Sequence, residues 1–249
     1  VPEGDTIHRA ARTLQQALGG QTITRFETVL AQLARVDDDQ AIRGRTIERV
    51  RAVGKHLLIE MSGDLALHTH MRMNGEWHIY RAGERWMRRR SDMRIVIETK
   101  DWTAVAFNVT VADFETPSVG PDLLGESFDL DEAQRRVRAE SNAEIADALL
   151  NQQSVAGIGN IWKSETLFVC RVSPFVTVAS IDDAKLAEIL TTARKLLRHS
   201  VARTTRNDWW VYGRAGKPCR KCGTPIRSRK QGDDARTTYW CPRCQGIAA

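Results

Sequence analysis

The sequence predicts an α+β chain: a leading helix, a β-rich region, a helical region, and a short metal-binding segment at the end. Three observations predict it. Short apolar or alternating runs separated by turn signals fill residues 21–112. Helix-spaced apolar positions take over from Asp131 onward. Four of the five cysteines fall as Cys219-x2-Cys222 and Cys241-x2-Cys244, with 18 residues between the pairs.

The leading helix rests on Ile7, Ala10, Ala11, Leu14 and Leu18, with Asp5 or Thr6 as N-cap and Gly19-Gly20 as the stop. The β region reads as Thr22–Phe26, Thr46–Val53, His56–Met61, Leu65–His70, Glu76–Tyr80, Met93–Glu98 and Thr103–Val109. Many short strands at this spacing predict a sandwich or a barrel. The charge run ending in Arg88-Arg89-Arg90 is expected at an exposed hairpin tip spanning Gly83–Arg90. Pro117, Gly120, Pro121 and Gly125 mark a boundary. Helices are expected at Asp131–Glu140, Ala143–Leu150, Gly159–Val169 and Asp182–Ser200.

Composition narrows the function classes. With 249 residues and 42% hydrophobic content the chain can bury a core. No run approaches the roughly 20 apolar residues of a membrane span. No secretory leader is visible, so a soluble intracellular protein is expected. The formal charge is +6, unevenly spread: Arg194–Ala249 carries 14 Lys and Arg against 3 acids, a net of +11, and the rest nets −5. A basic module at one end predicts a polyanionic partner, most simply nucleic acid. In a reducing compartment the cysteine pairs read as a four-thiolate zinc site. Four thiolates leave no open position for water, so the zinc is structural and the chemistry lies elsewhere.

Pro2-Glu3-Gly4 at the start pairs a candidate amine with a carboxyl group. A terminal amine has a pKa of about 7.7–8 against about 10.4 for lysine. A free proline terminus is a secondary amine able to form a Schiff base with an aldehydic carbon. Glu3 is placed to protonate a leaving oxygen if burial raises its pKa.

Four features stand in order: Pro2-Glu3-Gly4; Val53-Gly54-Lys55-His56-Leu57-Leu58; Asn151-Gln152-Gln153-Ser154-Val155-Ala156-Gly157-Ile158-Gly159-Asn160; and the four cysteines with Arg236 before the second pair. Together they resemble the formamidopyrimidine-DNA glycosylase / endonuclease VIII family, closest to the endonuclease VIII-like branch. The resemblance implies an N-terminal β-sandwich, a helix–two-turn–helix domain and a zinc-bound β-hairpin. It implies a base-excision repair enzyme that removes oxidised bases and then cleaves the abasic site by β,δ-elimination. Pro2 matches the nucleophile, Glu3 the acid, and Lys55 the sheet lysine that contacts phosphate and assists catalysis. Gly159 and Asn160 match the phosphate-binding turn, and Arg236 the hairpin arginine that grips phosphate beside the damaged nucleotide. Cys219, Cys222, Cys241 and Cys244 match the ligands of one structural zinc. The implied partner is double-stranded DNA containing damaged bases or abasic sites, met by a monomer at a bacterial nucleoid in the cytoplasm, with no membrane.

Independently, Gly157 and Gly159 permit close backbone approach, and a helix opening at Asn160 favours an anion. A base in duplex DNA must be flipped out to be reached, and an apolar wedge commonly fills the gap. His70-Met71-Arg72-Met73-Asn74-Gly75 is the candidate loop. Met73 resembles the family's intercalating methionine, Arg72 is placed to face the orphaned base, and His70 lies beside them.

Three departures from the family pattern matter. Val1 precedes Pro2, and an amide nitrogen does not attack. Thr6 stands where relatives often carry a second glutamate. Phe107–Asp113 lacks the Arg-Arg-Phe-Gly type segment of the purine branch, and Arg203–Trp210 is short. The last two absences predict a preference for oxidised pyrimidines, although Met73-Asn74-Gly75 looks more like the purine branch. The expected domains are a catalytic sandwich at 1–116, a linker at 117–130, a DNA-binding helical domain at 131–210 and a zinc finger at 211–249. Two other readings stay open: a silent damaged-DNA-binding protein with Pro2 blocked by Val1, and a zinc-ribbon RNA-binding protein. Cys170 reads as a core thiol. His8, His56, His68, His78 and His199 have no metal-ligand spacing.

Overall fold

The computed structural model describes residues 2–203 and 208–246; Val1 lies outside the described residues. The chain divides into two compact units. Pro2 and Thr6–Pro117 belong to the first, Glu3–Asp5 and the chain from Ser118 to the second.

The first unit is a β-sandwich rather than a barrel. Helix α1 (Gly4–Leu18) is followed by β1 (Arg25–Thr28), α2 (Ala31–Asp39), β2 (Ile47–Val53), β3 (His56–Met61), β4 (Leu65–His70), β5 (Glu76–Arg81), β6 (Met93–Glu98), β7 (Trp102–Phe107) and β8 (Val111–Asp113). Two antiparallel four-stranded sheets form, in the orders β1-β6-β7-β5 and β2-β3-β4-β8. Alternation explains the layers. Ile95, Ile97, Ala104 and Ala106 join Leu57, Ile59 and Leu67 in the main core with Ile7, Leu14 and Leu18 of α1. Val96, Val105 and Phe107 point the other way and form a second cluster with Tyr80 and Met93, covered by Trp86. That second cluster is why β6 and β7 read as continuous apolar runs.

Four expectations are corrected. The helix begins at Gly4, so Asp5 sits in its first turn and is no cap. The first strand runs Arg25–Thr28, while Thr22 makes only an isolated bridge to Thr46. Helix α2 interrupts the β region. Gly83–Arg90 is not a hairpin tip, because β5 and β6 are not neighbours in their sheet. The segment is a crossover pinned by Trp86 and by an ion pair from Arg88 to Glu76 at 2.6 Å.

The second unit holds α3 (Leu130–Ala139), α4 (Ile145–Ala148), α5 (Asn160–Val169), α6 (Asp183–Ala202), and the hairpin β9 (Arg227–Gln231) and β10 (Arg236–Trp240). Asp129 caps α3 and Asp182 caps α6, each accepting a backbone N–H three residues on. The α4–turns–α5 arrangement is the helix–two-turn–helix. Leu123, in the expected linker, is fully buried with Val137, Ile158 and Leu190, and Leu124 and Phe128 pack against the same cluster. The zinc segment belongs to the same compact unit. No helix among the described residues is long and apolar enough to cross a membrane.

Phe107→Ala tests the second cluster of the sandwich. Removing this fully buried ring is expected to cost about 3–5 kcal/mol, read as a lower midpoint in chemical unfolding.

Candidate functional site

Helix α5 carries the site of the second unit. It is buried on nearly every side: Trp162 to Phe168 are all buried, including Lys163, Ser164, Glu165 and Thr166. Such a helix must satisfy each polar group internally. Its N-terminus is satisfied by Glu3, which is 2% exposed. Glu3 Oε1 accepts the Ile161 N–H at 2.7 Å and Oε2 accepts the Trp162 N–H at 3.2 Å. The sequence predicts an anion at this helix start, and the chain supplies one itself.

Close backbone approach makes this possible. The Gly4 N–H donates to the Gly157 carbonyl at 2.9 Å, and Gly157 holds a left-handed φ of +98°. A Cβ on Gly159 would stand 2.3 Å from the Glu3 carboxyl carbon. Asp5 Oδ2 accepts the Ser200 hydroxyl at 2.5 Å. Glu3, Gly4 and Asp5 are therefore each tied to the second unit.

The hairpin is fastened to the same helix. Asn160 Nδ2 donates to the Thr237 carbonyl at 2.8 Å, while its buried Oδ1 has no hydrogen-bond partner among the described residues. Lys163 Nζ donates to Thr238 Oγ1 at 2.7 Å. Arg236 stands half-exposed at the start of β10 and meets Asp234 at 3.5 Å. Glu165 accepts the N–H groups of Trp210, Val211 and Tyr212 at 2.8–2.9 Å. Burial pushes the Glu165 carboxyl up, and those three bonds pull it back. Burial also pushes the Tyr212 phenol up, with the Glu3 charge adding to it and Asn160 opposing.

The four cysteine sulfurs lie within 4.8 Å of one another. Cys219 and Cys244 are 3.9 Å apart, and Cys222 and Cys241 3.5 Å. A tetrahedron of Zn–S bonds of about 2.3 Å has edges of about 3.8 Å, so the set fits one zinc ion. The Lys221 and Cys244 N–H groups point at Cys219 and Cys241 sulfur, each at 3.4 Å, as thiolates require. The metal staples a module whose own core is only Phe168, Val211, Ile226 and the cysteines.

In the first unit, Lys55 lies in the turn between β2 and β3, half-buried. His56 pairs with His70 across β3 and β4. The ring of His56 meets His68 at 2.7 Å (Nδ1 to Nε2), and His68 Nδ1 meets Asp113 at 2.9 Å. His56 is held down to about 4, by burial first and then by His70 and His68. His70 is likewise held down to about 4, by burial first and then by Arg72 and Lys55. The Arg72 N–H donates to His70 Nδ1 at 3.0 Å, so the neutral ring carries its hydrogen on Nε2. Met71 is 3% exposed and packs in the core, whereas Met73 is 59% exposed beside Arg72, which holds a φ of +50°.

Thus Glu3, Gly159, Asn160 and Arg236 belong to one constellation, and Lys55, His70, Arg72 and Met73 to another on the first unit. Sequence reasoning missed Lys163 and the His56–His68–Asp113 chain. A lysine among Ile161, Trp162 and Leu167 was the only signal for the former.

Three family models match the chain: the formamidopyrimidine-DNA glycosylase N-terminal domain over residues 1–110, its H2TH domain over 119–208, and a zinc finger found in FPG and IleRS over 216–246. The chain is 40% identical to the "Probable endonuclease 8 2" of Streptomyces coelicolor, over 98% of this chain and 94% of that protein. It is 36% identical to the "DNA-(apurinic or apyrimidinic site) lyase Nei2" of Mycolicibacterium smegmatis, over 98% and 99%. It shares the fold of MutM in complex with carbocyclic 8-oxo-G containing DNA, with a TM-score of 0.84 at 21% identity over 98% and 99% of the chains.

Two glycine substitutions rank the contacts around Glu3. Gly159→Ala meets a side chain that can swing, so it is expected to expel the carboxylate from α5 at a cost of about 1–3 kcal/mol. Gly4→Ala meets the Gly157 backbone at 2.6 Å and is expected to cost more. Thermal unfolding midpoints of the two variants check the order.

Proposed function

The chain belongs to the formamidopyrimidine-DNA glycosylase / endonuclease VIII family, and on that premise we propose that it excises oxidised bases from duplex DNA and cleaves the resulting abasic site. The observation that carries the reading is the seating of Glu3. A carboxyl group one residue after Pro2 is buried, aligned by two backbone N–H donors, and locked by glycines on both sides.

With Val1 removed, Pro2 is a secondary amine that attacks C1′ of a flipped nucleotide. Glu3, seated as a carboxylate, takes the proton of the attacking amine and passes it to the sugar ring oxygen as the ring opens; the glycosidic bond breaks, and the base leaves with a proton from water. The proline nitrogen and C1′ then share a Schiff base. Loss of a C2′ proton expels the 3′ phosphate, and a second elimination releases the 5′ phosphate. The order of events is amine attack, ring opening, then elimination, and each proton has a nearby carboxyl or water as carrier. Lys55, Asn160 and Arg236 serve as phosphate contacts, and His70 adds a neutral donor. Met73, 59% exposed, is assigned as the wedge and its neighbour Arg72 as the orphan-base contact. Affinity is expected to fall steeply with salt.

Oxidised pyrimidines are the proposed substrates. Relatives at 40% and 35% identity carry "endonuclease 8 2" names, while a formamidopyrimidine-DNA glycosylase of Heliobacterium modesticaldum stands at 29% and an endonuclease 8 of Escherichia coli at 28%. The absence of an Arg-Arg-Phe-Gly type segment in Phe107–Asp113 and the short Arg203–Trp210 stretch favour that branch.

The test uses protein with Pro2 at its terminus and duplexes carrying one oxidised pyrimidine, one oxidised purine or one abasic site. Faster release of the pyrimidine and a gapped product with phosphate at both ends are expected. Glu3→Gln is expected to slow base release by about a hundredfold or more, with a smaller loss on the preformed abasic site. Equal loss on both substrates contradicts the role given to Glu3. Binding without any scission supports a silent binder instead.

A further inference from the structure

The function assigned above leaves one buried cation unused. Lys163 is fully buried in the middle of α5, one turn after Asn160. An ammonium group is costly to bury unless it is paired. The charged groups that face it are Asp147 on α4, Glu3, and Arg236 on β10. The first two attract it and the third repels it.

Its hydrogen bonds run in one direction. Lys163 Nζ donates to Thr238 Oγ1 at 2.7 Å, and the Thr238 hydroxyl donates to Gln231 Oε1 at 2.6 Å. Gln231 Nε2 donates to Glu144 Oε2 at 2.6 Å and to the Pro174 carbonyl at 3.1 Å. The chain starts at a cation and ends at an anion, so each bond polarises the next. Thr238 and Gln231 lie on the two strands of the hairpin that presents Arg236.

The hairpin turn lies against Asp147. A Cβ on Gly232 would stand 2.6 Å from Asp147 Oδ1. Asp147, Asp233, Asp234 and Arg236 line one groove of about 410 Å³. Arg236 therefore has a carboxylate-lined groove beside it, and its present contact to Asp234, at 3.5 Å, is long. The cation that faces Asp147 is Lys163.

We propose that Lys163 is a positioning residue: its buried ammonium occupies the charge of Asp147 and Glu3 and ties down Thr238, which leaves Arg236 directed outward to a substrate phosphate. The proposal rests on the function given above and deepens it. When the ammonium loses its proton, the Thr238 bond loses its charge assistance and Asp147 becomes an acceptor for Arg236. Burial is the first cause that holds Lys163 down from 10.5 to about 8; Arg236 adds to it, and Asp147 and Glu3 oppose. The working form is the protonated one. It is present below that value and lost above it, so phosphate grip should fade on the alkaline side of pH 8.

The experiment has two arms. In the first, the affinity of the full protein for a duplex with a tetrahydrofuran abasic analogue is measured from pH 6.5 to 9.5. The wild type is expected to weaken about tenfold from pH 7 to 9. Lys163→Met is expected to show that weakened affinity already at pH 7 and to be flat with pH. Thr238→Val keeps the charge, removes the tie, and should retain the alkaline fall. It serves as the reporter if the methionine variant does not fold. Lys163→Met with unchanged affinity, or any variant whose affinity falls equally at every pH while the alkaline fall persists in Lys163→Met, overturns the proposal. In the second arm, the Arg236 side-chain Nε resonance is followed in the free protein. It should move with a midpoint near pH 8 in the wild type and stay still in Lys163→Met. A wild-type resonance that does not move overturns the proposal whether or not DNA binds. A moving resonance in a protein that binds no abasic duplex keeps the Lys163–Arg236 coupling and instead refutes the assigned function. Borohydride adducts that map to Lys163 would make it a nucleophile and refute a positioning role.

Discussion

The carboxylate of Glu3 on the first backbone N–H groups of α5 is the interaction on which the second unit depends. Burying an anion is costly, and only charge or hydrogen-bond donors offset it. The Ile161 and Trp162 N–H groups and the positive end of the helix supply both. The same contact satisfies two of the N–H groups at the helix start. Gly159 lacks the Cβ that would displace the carboxylate, Gly4 lacks the one that would meet the Gly157 backbone, and Gly157 holds a left-handed φ of +98°.

From that anchor, one buried helix distributes its polar side chains to different segments. Asn160 holds Thr237, Lys163 holds Thr238, and Glu165 holds the backbone from Trp210 to Tyr212. The hairpin with Arg236 and the entry to the zinc module are thereby referred to the same axis as Glu3. The zinc adds the stability that a core of a few residues lacks. Glu3 occupies two of the N–H donors at the start of α5, those of Ile161 and Trp162.

Much of this was legible in the sequence, for reasons that differ by element. β2 through β7 could be read because each has one face in the main core and so alternates or runs apolar. Helix α2 could not, since Leu33 alone is buried in it and Leu30 gives no side-chain cap. The crossover at Gly83–Arg90 was read as a hairpin because local order does not reveal that β7 lies between β5 and β6 in the sheet. The cysteine spacing was decisive because it is a covalent-scale pattern. The partner of Glu3 lies 158 residues away, and no local rule points to it. Lys163 looked like any lysine in a helix, because nothing nearby in the sequence shows that α5 is enclosed on all sides.

The proposed chemistry turns on which amine meets the sugar. Borohydride reduction of the protein on a duplex with one abasic site, followed by intact mass and peptide mapping, reads that amine. The account predicts a single covalent adduct on the nitrogen of Pro2, in chains from which Val1 is absent. No adduct from protein with a free Pro2, or an adduct on a lysine, would contradict it.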